Sequence, residues 1–161
     1  MAGEDERRRL FSYLEERFGI PEKVFDGYFL LKGKKNWSLL KNVPEGTPAS
    51  RLKVARAGLR AFQKVGAFVK PTTRMIQIFG HSATRGKLEI DESQLSRLLA
   101  GEELSLDLDM EKGYVILTFG ANHILGMGFF IEGRIRSQIP RKELRQAMVM
   151  EVHYEIGRAH V

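Results

Sequence analysis

The sequence reads as an α+β protein, a small N-terminal α/β domain followed by a mixed β-barrel. Three observations lead there. First, an amphipathic helix opens the chain, with Leu10, Phe11, Leu14 and Phe18 at helical spacing and Glu and Arg opposite. Second, composition shifts near His81 to Gly86. Twelve Lys or Arg face a single acid, Glu45, from Leu31 to Arg85, whereas acids outnumber Lys87, Arg97 and Lys112 from Gly86 to Glu132. Third, short strands then recur at regular intervals behind one early helix, the pattern of a small closed barrel.

The elements follow in order. The opening helix spans residues 4–18, with Gly19 able to supply a left-handed end and Pro21 beginning a short second helix through Phe25. Tyr28 to Leu31 and Asn36 to Leu40 flank Lys32-Gly33-Lys34-Lys35, a hairpin with a basic turn. Two prolines and a glycine make Val43 to Pro48 a loop. Residues 51–65 fit a helix and a strand equally well by periodicity. Lys70 precedes proline and is biased to extended geometry, after which Pro71 or Thr72 opens a helix through Phe79.

Lys87 to Ile90 reads as a strand, and Asp91 with Gln94 as a capping box for a helix that Gly101 ends. Leu104 to Leu108 alternates as a strand. Gly113 to Phe119 is a hydrophobic strand, Gly120-Ala121-Asn122 a turn, and His123 to Ile131 a strand carrying Gly126 and Gly128 at bends or close approaches. Glu132-Gly133 turns into an alternating run from Arg134 to Ile139. The expected domains are residues 1–83 and 84–156, with a tail at 157–161.

Composition narrows the function. With 161 residues, 43% hydrophobic and 29% charged, the chain can bury a sizeable core. No apolar run nears the roughly 20 residues that span a bilayer, so no membrane association is expected. The N-terminus lacks the apolar stretch of a secretory signal, and a cytoplasmic location is expected. The absence of cysteine rules out disulfides, thiolate metal sites and cysteine nucleophiles. A net charge of +6 suits an acidic partner.

No catalytic constellation appears. His81, His123, His153 and His160 form no helical i, i+4 pair, so no metal site is expected. Gly126-Met127-Gly128 begins like a dinucleotide loop, but Ile131 holds the third glycine position and the segment reads as a strand. Asp107 and Asp109 alternate along one strand face and read as solvent-facing. His81-Ser82 lacks an orienting acid. The expectation is a protein that is not an enzyme and needs no cofactor.

One ordered set of motifs carries a resemblance. A helix ends Leu98-Leu99-Ala100-Gly101-Glu102, then come Lys112-Gly113-Tyr114-Val115, Leu125-Gly126-Met127-Gly128 and Arg134-Ile135-Arg136-Ser137-Gln138-Ile139-Pro140. This order resembles PUA domains, the RNA-binding barrels of pseudouridine synthases and archaeosine transglycosylases. It resembles above all the version fused to Sun-family RNA cytosine-5 methyltransferases. Upstream, Phe25-Asp26-Gly27-Tyr28, Trp37, Gly58-Leu59-Arg60, Phe68-Val69-Lys70-Pro71-Thr72-Thr73 and Gln77-Ile78-Phe79-Gly80 are similar to the segment preceding that domain in the same enzymes. The resemblance covers roughly residues 17–146 and implies a strand at 56–64, which the helix-weakening Gly58 supports. The catalytic domain of those enzymes and its cysteines have no counterpart here.

The resemblance implies a non-catalytic protein that binds structured rRNA or tRNA in RNA modification or ribosome biogenesis. Phosphate contacts from Lys and Arg would supply most of the affinity. Carried onto this sequence, the contacts in the second domain are Arg85, Lys87, Arg97, Arg134 and Arg136, with Gly101 and Gly126 permitting close backbone approach. The basic cluster of Arg134 to Arg145 adds Arg141 and Arg145. The first domain would add Lys34, Lys35, Arg60, Lys70 and Arg74. Arg97 reads equally as the solvated face of a helix. Trp37 and Phe129 could stack on bases, but core packing is the favoured reading for both, and Tyr28 reads as core. The alternative is a docking subunit that targets a separate RNA-modifying enzyme or ribosome-assembly factor. An exposed apolar patch on the first domain would speak for that alternative.

Overall fold

The computed structural model describes residues 1–49, 58–120 and 123–149. The chain divides into two units, Met1–Ser82 and Ala83–Val161.

The first unit begins with α1, Glu4–Phe18, whose buried stripe is Leu10, Phe11, Leu14 and Phe18. Three acids in its first turn and Arg17 in its last complement the helix dipole. Gly19, at φ 68°, ends it by donating its amide to the Glu15 carbonyl at 2.8 Å. A 3₁₀ turn, Glu22–Phe25, follows Pro21. Four strands then form an antiparallel sheet in sequence order: β1 (Tyr28–Lys32), β2 (Asn36–Lys41), β3 (Leu59–Val65) and β4 (Phe68–Pro71). The strand expected at 56–64 is present from Leu59, and residues 56 and 57 lie outside the described ones. Pro71 closes β4 instead of opening the next helix. Thr72 caps that helix, α2 (Thr73–Phe79), by accepting from the Met75 amide at 3.1 Å.

One face of this sheet is covered. Leu30, Trp37, Leu39 and Phe62 are buried together with the stripe of α1 and with Met75, Ile76 and Phe79 of α2. Phe11 stacks on Phe25 at 4.4 Å, and Phe25 and Tyr28 meet Phe79 edge-on. The Trp37 indole N–H donates to a Glu6 carboxylate oxygen at 2.9 Å, and the same oxygen takes the Lys32 ammonium at 3.3 Å. Trp37 is therefore core, with its one polar atom satisfied.

The second unit is a curled, mixed five-stranded sheet in the order β5-β7-β8-β9-β6. Its strands are β5 (Lys87–Ile90), β6 (Leu104–Ser105), β7 (Gly113–Phe119), β8 (His123–Ile131) and β9 (Arg134–Ser137), with α3 (Glu92–Leu99) after β5. β5 runs parallel to β7 and the other pairs are antiparallel. β5 and β6 remain as edges, so the sheet is a half-barrel and its ladder does not close on itself among the described residues. The core packs Ile90, Leu95, Leu98, Val115, Leu117, Phe119, Phe130, Ile135 and Ile139 together. Gly128 on β8 is required there, because a Cβ would stand 2.6 Å from Ile135 Cγ2 and 3.3 Å from the Arg136 carbonyl.

The capping box is complete: Asp91 accepts from the Gln94 amide at 2.7 Å, and the Gln94 side chain accepts from the Asp91 amide at 2.9 Å. Asp91→Ala should therefore cost about 1 kcal/mol in urea unfolding, and an unchanged midpoint would contradict that assignment. The run Leu104 to Leu108 pairs for two residues only. Beyond Ser105, half-buried Leu106 and Leu108 pack against the core, and the Leu106 amide bonds the Gly133 carbonyl. A helix at 141–149, not anticipated from the sequence, follows Pro140 and buries Leu144 and Ala147. The tail at 157–161 lies outside the described residues, as do Ala121 and Asn122 of the expected turn.

Among the described residues no helix is long and apolar enough to cross a membrane, and no cluster of His, Asp or Glu could hold a metal ion.

Candidate nucleic-acid interface

The candidate interface is built around β9. Its burial alternates: Arg134 and Arg136 are exposed while Ile135 is fully buried. A two-residue turn sets this phase. Glu132 at φ 52° and Gly133 at φ 74° both take the positive values that a type I′ hairpin demands. A slip of one residue would bury both arginines and expose Ile135.

Register then decides what lies beside the arginines. Arg136 is opposite Phe129 on β8, Phe129 is opposite Tyr114 on β7, and Arg134 lies between Ile131 and Ser105. Tyr114 and Phe129 meet edge-to-face at 5.1 Å. With Glu103, Ile131, Arg134, Arg136 and Gln138 they line a concavity of about 400 Å³ on the face turned away from the core. Burial pushes the Tyr114 hydroxyl above its ordinary pKa, so it stays protonated near neutral pH. Two cations beside two partly exposed aromatic rings can take a phosphate and a base together.

A second cleft, of about 230 Å³, adjoins through Glu103 and Arg136. Gly101, Arg141, Leu98, Ile139 and Leu144 also line it. Gly101 holds φ 83°, and a Cβ there would come within 3.4 Å of Arg141 Nη2. Glycine thus leaves the Arg141 guanidinium room against the backbone.

Acids temper this surface. Arg136 pairs with Glu103 at 3.2 Å and Arg97 with Glu102 at 3.1 Å, all solvent-accessible. Such pairs are worth about 0–1 kcal/mol, so a phosphate can displace the carboxylate. Arg134 has no ion pair among the described residues.

The other expected residues are placed as follows. Arg85 and Lys87 are exposed, Arg85 in the loop before β5 and Lys87 on β5, an edge strand with β7 and β8 between it and β9. Arg97 is exposed on α3. Arg145 is exposed on the helix at 141–149, one turn beyond Arg141. Gly126 is buried within β8, opposite Leu117 and beside a register shift. In the first unit Lys34 and Lys35 occupy the β1–β2 turn, Arg60 and half-buried Lys70 lie on β3 and β4, and Arg74 is exposed on α2.

Two outcomes depart from the sequence reading. Phe129 is half-buried and lies outside the core, on the arginine side of the sheet. Tyr114, for which the sequence suggests no role, stands beside it. The alternation of Tyr114 with buried Val115, and of Phe129 with buried Phe130, was the available signal. The aromatic run Phe129-Phe130 hid it.

A curled mixed sheet with a capped helix after its first strand is a PUA-like fold. Residues 85–146 match the family model for the Methyltransferase RsmF PUA domain. The chain is 25% identical over 142 residues to a ribosomal RNA small subunit methyltransferase F of Psychromonas ingrahamii, covering 84% of this chain and 28% of the relative. It is 23% identical over 100 residues to the protein of the same name from Aeromonas salmonicida, covering 62% of this chain and 21% of that relative. The 142-residue match is longer than the second unit, so similarity extends into the first. The chain spans about a quarter of the length of these curated relatives.

Proposed function

We propose that this chain is a non-catalytic RNA-binding protein that holds structured ribosomal RNA in the cytoplasm during RNA modification or ribosome biogenesis. The carrying observation is the grouping of Arg134 and Arg136 with Tyr114 and Phe129 on one face of the sheet, within the stretch that matches a PUA domain. The named relatives act on small-subunit ribosomal RNA, which makes that RNA the first candidate ahead of tRNA. Gly101, Arg97, Arg141 and Arg145 extend the contact on the second unit. Arg85 and Lys87 add charge at the start of the barrel, where Gly126 shapes β8. Lys34, Lys35, Arg60, Lys70 and Arg74 contribute from the first unit. The long-range attraction of these cations supplies affinity, and the aromatic pair selects an unstacked base.

Crosslinking the protein to RNA in cells and sequencing the attached fragments tests this reading. Enrichment of one ribosomal RNA region is expected. Enrichment of tRNA alone would replace the substrate, and no enrichment over a size-matched control protein would overturn RNA binding.

A second reading, a docking subunit for a separate RNA-modifying enzyme, draws on Phe29, Leu31, Val65 and Phe68, which are exposed on the first unit. Its partner would supply the catalysis.

A further inference from the structure

The first sheet has one face against α1 and α2. Register defines the other. Phe29 and Leu31 of β1 lie opposite Leu40 and Ser38 of β2, Ser38 lies opposite Arg60 of β3, Gln63 opposite Lys70, and Val65 opposite Phe68. A register shift between Trp37 and Ser38 lets Arg60 share this face although Phe62, two residues on, is buried on the other. Phe29 is 39% exposed, Leu31 38%, Val65 47% and Phe68 78%. Phe68 follows the two-residue turn at Gly66, at φ 61°, which projects the hairpin tip.

These apolar side chains are not one patch. Phe29 and Phe68 sit on opposite edge strands, about 14 Å apart across the sheet and further along the strand direction. Between them lies a belt of Ser38, Asn36, Arg60, Gln63 and Lys70. A protein partner would have to desolvate Lys70 and the Ser38, Asn36 and Gln63 side chains of that belt, and interface hot spots cluster on well-packed neighbouring anchors that these separated apolar side chains do not provide. A polyanion would not. The four strands carry five cations, Lys32, Lys41, Arg60, Lys64 and Lys70, and no acid, so the charge of the sheet is complementary to phosphates. Two exposed rings bracketing a cationic belt are the elements of a single-strand platform, in which bases stack and the backbone runs over the charge.

We propose that this face binds a single-stranded RNA segment, with bases stacked on Phe68 and Phe29 and phosphates on Arg60 and Lys70. The proposal rests on the RNA-binding reading and adds a substrate class and a second site. The first unit thus adds a site for an unpaired stretch of the same RNA.

The test uses the full chain, a fluorescein-labelled oligoadenylate of about 12 nucleotides and a ribosomal RNA hairpin, followed by anisotropy at fixed salt. Phe29→Ala/Phe68→Ala should weaken oligoadenylate binding at least about tenfold and leave hairpin binding within about twofold. Both rings are partly or largely exposed, so thermal unfolding should be unchanged, and Arg60→Glu/Lys70→Glu provides an independent variant with the same expected weakening. If the wild type binds the hairpin but not the oligoadenylate, or the aromatic variant binds the oligoadenylate as the wild type does, this inference fails and the RNA-binding reading stands. The exposed rings would then belong to a protein interface. If the wild type binds neither RNA, both fail.

Discussion

Charge reversal at two residues, Arg134→Glu with Arg136→Glu, is expected to weaken binding of a structured ribosomal RNA fragment by roughly a hundredfold near about 0.1 M salt. Both guanidiniums project from the face of the sheet that bears Phe129, and neither contributes to the core. Reversal replaces two attractions to phosphate with two repulsions. It also sets a carboxylate at position 136 near Glu103, removing a pair worth about 0–1 kcal/mol at most. The slope of log affinity against log salt should fall by about 0.9 for each phosphate that is no longer neutralised. Thermal stability should hold, because exposed substitutions of this kind lie within about 0.5 kcal/mol. An unchanged affinity in a salt-controlled titration would remove β9 from the interface.

The residue between them is expected to behave in the opposite way. Ile135 is fully buried, opposite Leu104 and Phe130, with Gly128 left bare to admit its methyl group. Ile135→Ala should therefore cost about 2–5 kcal/mol, the transfer loss plus the cavity left behind. RNA affinity of the folded fraction should change little. Trp37, the single tryptophan, belongs to the first unit, so its fluorescence reports there while far-ultraviolet circular dichroism reports on both units. The destabilisation should appear in the dichroism transition. A shift under about 0.5 kcal/mol would mean that β9 is not in the register described.

The contrast between three consecutive residues shows what the sequence makes legible. Local chemistry was readable where one residue sets one geometry. Gly19 ends α1, Asp91 with Gln94 opens α3, and Glu132-Gly133 turns β8 into β9. From that turn, the alternation in Arg134-Ile135-Arg136 followed. Pairing was not readable. β6 stops after Ser105 because its partner β9 begins at Arg134; the Leu106 amide already bonds the turn residue Gly133, and a period-two pattern does not show where the partner strand begins. The helix at 141–149 does not stand out in the sequence because its buried side rests on Leu144 and Ala147 with half-buried Met148, a short apolar stripe beside basic residues. The aromatic half of the candidate interface was hidden for a related reason. Whether Phe129 or Phe130 faces the core depends on cross-strand register, and the exposure of Phe29 and Phe68 depends on which face of the first sheet α1 and α2 cover.

RNA is proposed to lie on the Tyr114–Phe129–Arg136 face of the second unit. Photocrosslinking the protein to a ribosomal RNA fragment carrying 4-thiouridine, then identifying adducted peptides by mass spectrometry, tests it directly. Adducts are predicted on the strands that hold Tyr114 and Phe129, and they should disappear with the double arginine reversal. Adducts absent from both strands, at protein concentrations where the RNA is bound, would contradict the claim.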